Sequence, residues 1–145
     1  MRISDVLAGK GRQGVVTIAP EASVRDLLEL LAEQNVGAVV VSRDGRTIEG
    51  IVSERDVVRR LNEDESVLAA PVSAIMTTDV HACDGSEPVL QLMQVMTDGR
   101  FRHVPVVKDG ALVGVVSIGD VVKSRIAELQ FERDQLDSYV HSSGA

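Results

Sequence analysis

The sequence predicts an α/β protein in which one β-α-β-β-α unit occurs twice and the two copies pack as a single pseudo-two-fold module, with an extended C-terminal helix. Three observations carry this. The chain repeats itself: residues 36–58 read VGAVVVSRDGRTIEGIVSERDVV and residues 101–122 read FRHVPVVKDGALVGVVSIGDVV. Asp44-Gly45 matches Asp109-Gly110 at an offset of 65, and Gly50, Ser53 and Asp56 match Gly114, Ser117 and Asp120 at an offset of 64. Each copy alternates β-prone runs with stripes at helical spacing, the pattern of a layered α/β unit. Finally, 145 residues that are 44% hydrophobic suffice for a real core, and two such halves would each leave a sheet face bare unless they packed together.

Each copy opens with a short β-prone run, Gly14 to Ile18 in the first and Val80 to Cys83 in the second. Ser23 then reads as the N-cap of a helix to about Asn35, with Val24, Leu27, Leu28 and Leu31 on one face. The second copy repeats the stripe as Val89, Leu92, Met93 and Met96, with Ser86 as cap, Pro88 in the first turn and Gly99 as stop signal. Two strands follow, Ala38 to Val41 and Glu49 to Val52, joined at Asp44-Gly45. Their counterparts are His103 to Val107 and Leu112 to Val116, joined at Asp109-Gly110. Asp-Gly between β-branched runs signals a hairpin, because glycine accepts a positive φ.

A second helix starts near Ser53 or Ser117. In copy two it runs without a breaker from Asp120 to about His141. Its apolar side calls for an intramolecular groove or a partner chain, and Arg133 is placed to pair with Asp137. The boundaries expected are 1–65 for the first copy, 66–73 for a linker, 74–130 for the second copy and 131–145 for the helix extension, ending in a mobile tail over Ser142–Ala145.

Composition narrows the function. Aromatic residues are 2% of the chain (Phe101, Phe131 and Tyr139), so the core is aliphatic and the stacking platforms of single-strand binders are missing. The net charge of -7 and the scattered cations argue against nucleic acid. The single cysteine, Cys83, reads as buried filler, and Met76, Met93 and Met96 as core. No run approaches membrane-spanning length and no signal peptide opens the chain, so a cytoplasmic address is expected. His81 and His103 lack the company of a metal site, and His141 lies in the tail.

The chemistry concentrates in Gly50-Ile51-Val52-Ser53-Glu54-Arg55-Asp56 and Gly114-Val115-Val116-Ser117-Ile118-Gly119-Asp120, each a Gly-x-x-Ser-x-x-Asp where a strand hands over to a helix. Unpaired amides at a helix N-terminus attract phosphate, and an ionised carboxylate one turn on can accept both hydroxyls of a ribose. The same residues also make an ordinary capping box. Recurrence in the repeat strengthens both readings equally.

With its Ile51-Val52-Ser53-Glu54-Arg55-Asp56, Ile75-Met76-Thr77, Arg102-His103-Val104-Pro105-Val106-Val107 and Val115-Val116-Ser117-Ile118-Gly119-Asp120, the chain resembles the paired CBS domains (Bateman modules), from Ile3 to about Leu129. The resemblance implies a non-catalytic regulatory module that binds AMP, ADP or ATP, or alternatively S-adenosylmethionine or NAD, in one or both clefts between the repeats. It implies no required cofactor or metal. Asp56 and Asp120 would hold the ribose, and Ser53 and Ser117 would lie near the phosphate. Arg55 would serve either cleft, with Gly119 at the matching position of the second motif. Val80 and His81 would flank the adenine of the Asp56 site, and Val15 and Val16 that of the Asp120 site. Because Arg102 and His103 open a strand where the first copy has Gly37-Ala38, the Asp120 site is expected to be the better equipped for phosphate. A homodimer and an unidentified regulated protein are the expected partners, and a structural dimerisation module with empty clefts is the competing reading.

Overall fold

The computed structural model describes residues 1–10 and 14–143. The first copy runs β1 (Thr17–Ile18), α2 (Val24–Gln34), β2 (Ala38–Val41), β3 (Gly50–Ser53) and α3 (Glu54–Glu63), preceded by a helix α1 (Ile3–Ala8). The second runs β4 (Cys83–Asp84), α4 (Val89–Gly99), β5 (His103–Lys108), β6 (Ala111–Ser117) and α5 (Ile118–Ser143). Two short 3₁₀ turns, Glu65–Ala69 and Val72–Ala74, connect the copies.

Each copy builds one three-stranded sheet, in the orders β1-β2-β3 and β4-β5-β6. The opening strand is parallel to the next (Thr17↔Val40, Cys83↔Val106), and the hairpin pair is antiparallel (Val39↔Val52, Val104↔Val116). Asp109 (φ 53) and Gly110 (φ 78) form a two-residue turn whose positive φ values match the strand twist. The first hairpin needs a longer turn, in which the Asp44 carboxylate accepts the amides of Arg46 and Thr47 at 2.8 and 2.7 Å.

The expected helices form with one exchange of caps. Ser23 caps α2 through the Asp26 amide, and Asn35 closes it in the left-handed region. Ser86 does not cap α4. Its amide and hydroxyl both donate to Asp84 Oδ1, and Pro88, the true counterpart of Ser23, occupies the N-cap with no side-chain bond. Gly99 is the last helical residue rather than the stop, and Arg100 takes the left-handed position (φ 58). The opening strands are also shorter than expected. Gly14 has φ 80, and Val15, Val16, Val80 and His81 lie outside the ladders. Arg133 contacts its neighbour Asp134 at 3.8 Å instead of Asp137, a loose pair between exposed side chains. Ser142 and Ser143 are helical, and the rest of the expected mobile tail lies outside the described residues.

What the repeat pattern hid is a crossed exchange of opening segments. Ile3 and Val6 of α1 are buried in the second copy's core, with Cys83, Leu92, Met96, Val104, Val116 and Val121. Val67, Val72 and Ile75, which precede the second copy's first strand, are buried in the first copy's core, with Leu27, Val39, Val52 and Val57. The backbone follows suit: the first amide of α4 donates to the Met1 carbonyl at 3.2 Å, and that of α2 to the Ala70 carbonyl at 3.0 Å. The two helix mouths are therefore held by each other's lead segments, which makes the halves one cooperative body.

That crossing explains the glycine of each motif. A Cβ on Gly50 would lie 2.8 Å from the Thr77 carbonyl oxygen and 2.8 Å from Met76 Sδ, and one on Gly114 would lie 2.7 Å from Leu7 Cδ2. Ile51 and Thr77 exchange two backbone hydrogen bonds of 2.9 Å there. The glycines are needed for close approach of the other copy's lead, and neither has a positive φ.

Candidate functional site

Both motifs form the capping box. In α3, the Ser53 amide donates to Asp56 Oδ2 at 2.8 Å, the Ser53 hydroxyl to the same oxygen at 3.1 Å, and the Asp56 amide to Ser53 Oγ at 3.4 Å. In α5 the Ser117 amide donates to Asp120 Oδ2 at 2.9 Å and the Asp120 amide to Ser117 Oγ at 3.1 Å. These bonds engage one oxygen of each carboxylate. An ionised carboxylate has acceptor sites to spare, so the cap does not compete with a second donor at the other oxygen.

Each mouth opens on a cleft at the seam between the copies. The Asp120 cleft, about 370 Å³, takes Ser117 and Asp120 from copy two and Val15, Val16 and Asn35 to Ala38 from copy one. The Asp56 cleft, about 400 Å³, takes Ser53, Glu54, Arg55, Asp56 and Arg59 from copy one and Asp79, Val80, His81 and Arg100 to His103 from copy two. Each volume lies in the range of small-molecule sites. The rule is the same for both: the helix mouth comes from one repeat, the strand lead from the other. Asp56 and Asp120 therefore line separate clefts, as the resemblance to paired CBS domains implies.

The crossing corrects the assignment of Arg102. It lines the Asp56 cleft and not the Asp120 cleft, because residues leading into β5 cross the seam just as Asn35 to Ala38 do in the other copy. His103, Gly37 and Ala38 line both clefts, at the pseudo-axis, where a Cβ on Gly37 would lie 3.6 Å from the His103 ring. Arg55 lines only the Asp56 cleft, and Gly119 lines neither. The cation-rich cleft is thus the Asp56 one, the reverse of the sequence expectation.

Several lining residues lie outside the sequence expectation. Arg59 lies one turn after Arg55 on α3, and that i, i+4 spacing was a usable signal. Arg100 sits at the helix stop, where the matching Asn35 gives no hint of a cation. Lys10 follows α1 and reaches into the Asp120 cleft. Its ammonium lies 2.8 Å from Asp120 Oδ2 and donates to the Val115 carbonyl at 2.8 Å. Burial pushes the Asp120 carboxyl up, but the Lys10 ammonium and the Ser117 amide outweigh it and hold the group below its ordinary value. His103 is held below its ordinary value chiefly by burial. Lys10 and Arg102 add to the shift and Asp120 and Glu54 oppose it.

Cys83 is buried, with its thiol pushed up to about 11 by burial and by the Glu87 and Asp84 charges. No group of three His, Cys, Asp or Glu among the described residues is arranged to hold a metal ion, and no described helix is long and apolar enough to cross a membrane. His81 stacks on Phe101, centroids 5.7 Å apart, on the wall of the Asp56 cleft.

The CBS domain family matches the chain twice, over residues 3–63 and 72–127. Among curated proteins, the CBS domain-containing mitochondrial protein CBSX3 of Arabidopsis thaliana is 36% identical, over 95% of this chain and 71% of its own length. Among solved structures, the CBS-domain containing protein ATU1752 from Agrobacterium tumefaciens superposes with a TM-score of 0.81 at 42% identity, covering 86% of this chain and 99% of that one. The CBS domain protein PAE2072 from Pyrobaculum aerophilum, complexed with AMP, superposes at 0.72 with 32% identity, covering 83% of this chain and 89% of its own.

Proposed function

This chain belongs to the CBS domain family, as two repeats in tandem, and on that premise we propose that it is a regulatory, non-catalytic module that binds an adenine nucleotide of the AMP, ADP or ATP type at the seam between its repeats. The observation that carries the reading is the construction of the clefts, each facing an acidic helix mouth of one repeat with the strand lead of the other. A ribose diol donates to the carboxylate oxygen left outside the cap of Asp56 or Asp120. The main chain at Val80 and His81, or at Val15 and Val16, reads the adenine edge, a task that needs backbone groups and no particular side chain. The AMP complex of PAE2072 supports the ligand class.

A ligand that touches both repeats favours the arrangement in which they sit correctly, and it shifts that equilibrium only by its differential affinity. In this reading the module works in the cytoplasm and its output is a regulated protein or a second copy of itself. The exposed Val58 and Leu61 of α3 and Val122, Ile126 and Leu129 of α5 form the face of a homodimer.

Thermal melting of the purified protein with adenosine, AMP, ADP, ATP, NAD and S-adenosylmethionine tests the reading. A ligand at 100 times its Kd stabilises by about 2.7 kcal/mol, a shift of several degrees. At least one adenylate is expected to give it, and Asp56→Asn with Asp120→Asn to remove it. No shift at millimolar concentration with any of the six would overturn the nucleotide reading. If the protein were still dimeric, a purely structural dimerisation module would replace it.

A further inference from the structure

We propose that the Asp56 cleft is built for a nucleoside di- or triphosphate, with Arg55, Arg59, Arg100 and Arg102 receiving the phosphate chain, while the Asp120 cleft takes ligands of little or no negative charge. This rests on the nucleotide reading above and adds to it which cleft takes which charge class.

The repeat supplies its own control. Four of the chain's twelve arginines line one cleft. Three of them occupy positions filled in the other copy by residues without charge: Arg100 matches Asn35, Arg102 matches Gly37, and Arg55 matches Gly119. The fourth, Arg59, matches Lys123, which does not line the Asp120 cleft. The clefts differ little in size, so charge separates them.

These guanidiniums are also uncommitted. Among the described residues none of the four forms an ion pair, although Glu54, Asp56 and Asp79 line the same cleft. The Asp56 carboxylate is engaged by Ser53 instead. With four guanidiniums against three carboxylates, the lining keeps a net positive charge for a polyanion to meet. A guanidinium presents paired donors that match two phosphate oxygens, so arginine suits this task better than lysine. Among the described residues the one Lys or Arg lining the Asp120 cleft, Lys10, is already spent on Asp120 and the Val115 carbonyl.

Arg100 adds an independent sign. It holds φ 58 and ψ 32, the left-handed region, which disfavours a side chain of this kind and suits glycine or asparagine. Asn35 takes the same conformation in copy one, where it costs less. Backbone strain kept at a cleft wall points to a role for the side chain there.

Calorimetric titration of the full chain with adenosine, AMP, ADP and ATP, at low and at 0.5 M salt, tests the inference. Affinity is expected to rise at least tenfold from AMP to ATP, with most of that gain lost at high salt. Asp120→Asn should leave the gain in place and Asp56→Asn should remove it. Removing two of the four guanidiniums with Arg100→Asn and Arg102→Ala should bring ATP to the level of AMP, cost adenosine far less than ATP and leave Tm equal or higher, since the strained position is relieved. Inorganic tripolyphosphate should compete with ATP in the wild type and not in that variant. Equal affinity for AMP and ATP, or a gain that survives the double substitution, overturns this inference alone. Absence of binding by every adenine compound overturns the nucleotide reading and this inference with it.

Discussion

The two clefts are built on equivalent positions of a duplicated chain, and they treat charge in opposite ways. In one, Lys10 sits on Asp120 and bonds the Val115 carbonyl, so the carboxylate already has a cation. In the other, Asp56 keeps only its own cap, and four arginines stand around it without ion pairs among the described residues. The lead segments make the contrast sharper. Ile3, Val6 and Leu7 play the parts of Val72, Ile75 and Met76, an offset of 69 that sets Lys10 against Asp79. Duplication thus preserves the Ser-x-x-Asp capping boxes of α3 and α5, the strand pairing and the close-approach glycines. Residues that face the clefts without supporting the backbone are free to diverge, and they decide what each cleft takes.

The largest expected effect concerns the glycines. Gly50→Ala drives its Cβ into the Thr77 carbonyl, a backbone atom held by two hydrogen bonds, and should cost about 1–3 kcal/mol in denaturant unfolding. Gly114→Ala meets the tip of Leu7, which can turn aside, and should cost under ~1 kcal/mol. Equal losses at the two positions would mean that the leads do not differ in rigidity as they differ in contact.

A smaller effect isolates Lys10. With the other cleft silenced by Asp56→Asn, Lys10→Ala should raise adenosine affinity in the Asp120 cleft roughly 2- to 5-fold, since partly exposed ion pairs are worth ~0.2–1 kcal/mol. The Asp120 carboxyl should titrate closer to its ordinary value in the same variant. Weaker binding would show that Lys10 holds the ligand and does not compete for the carboxylate.

The smallest effect lies at the pseudo-axis. His103 is held below its ordinary value by burial, with Lys10 and Arg102 adding to the shift and Asp120 and Glu54 opposing it. The unfolded chain therefore takes up this proton first on acidification. The stability owed to neutral His103 is complete above the ordinary histidine range and declines as pH falls through about 6.5. Asp120 acts in more acidic solution, where the stability from its ionised form is lost as pH drops below the carboxylate range. His103→Gln should flatten the unfolding free energy between about pH 7.5 and 5.5. A slope identical to the wild type would assign that dependence to other groups.

Much of this was legible in residue order. The helix from Ser23 to Asn35, the strand at Ala38–Val41, the Asp109-Gly110 turn and both capping boxes follow from local chemistry: who caps, who accepts a positive φ, who alternates. The cap of α4 is not legible locally because Ser86 lies just upstream of Pro88, and the Met1 carbonyl that receives the first amide of α4 arrives from the far end of the chain. Residue order points Arg102 to the wrong cleft for a related reason. Its neighbours along the chain belong to Asp120's repeat, while its neighbours in space belong to Asp56's.

Sequence alone determined the repeated unit, its helix mouths and the acidic residue in each, because caps, turns and apolar stripes are made by residues three or four apart. Which lead segment covers which core, which cations meet which carboxylate, and the inequality of the two clefts were decided only in the tertiary structure. Those are contacts between residues some 25 to 110 positions apart, such as Ile51 and Thr77 or Lys10 and Asp120, and no local propensity records them.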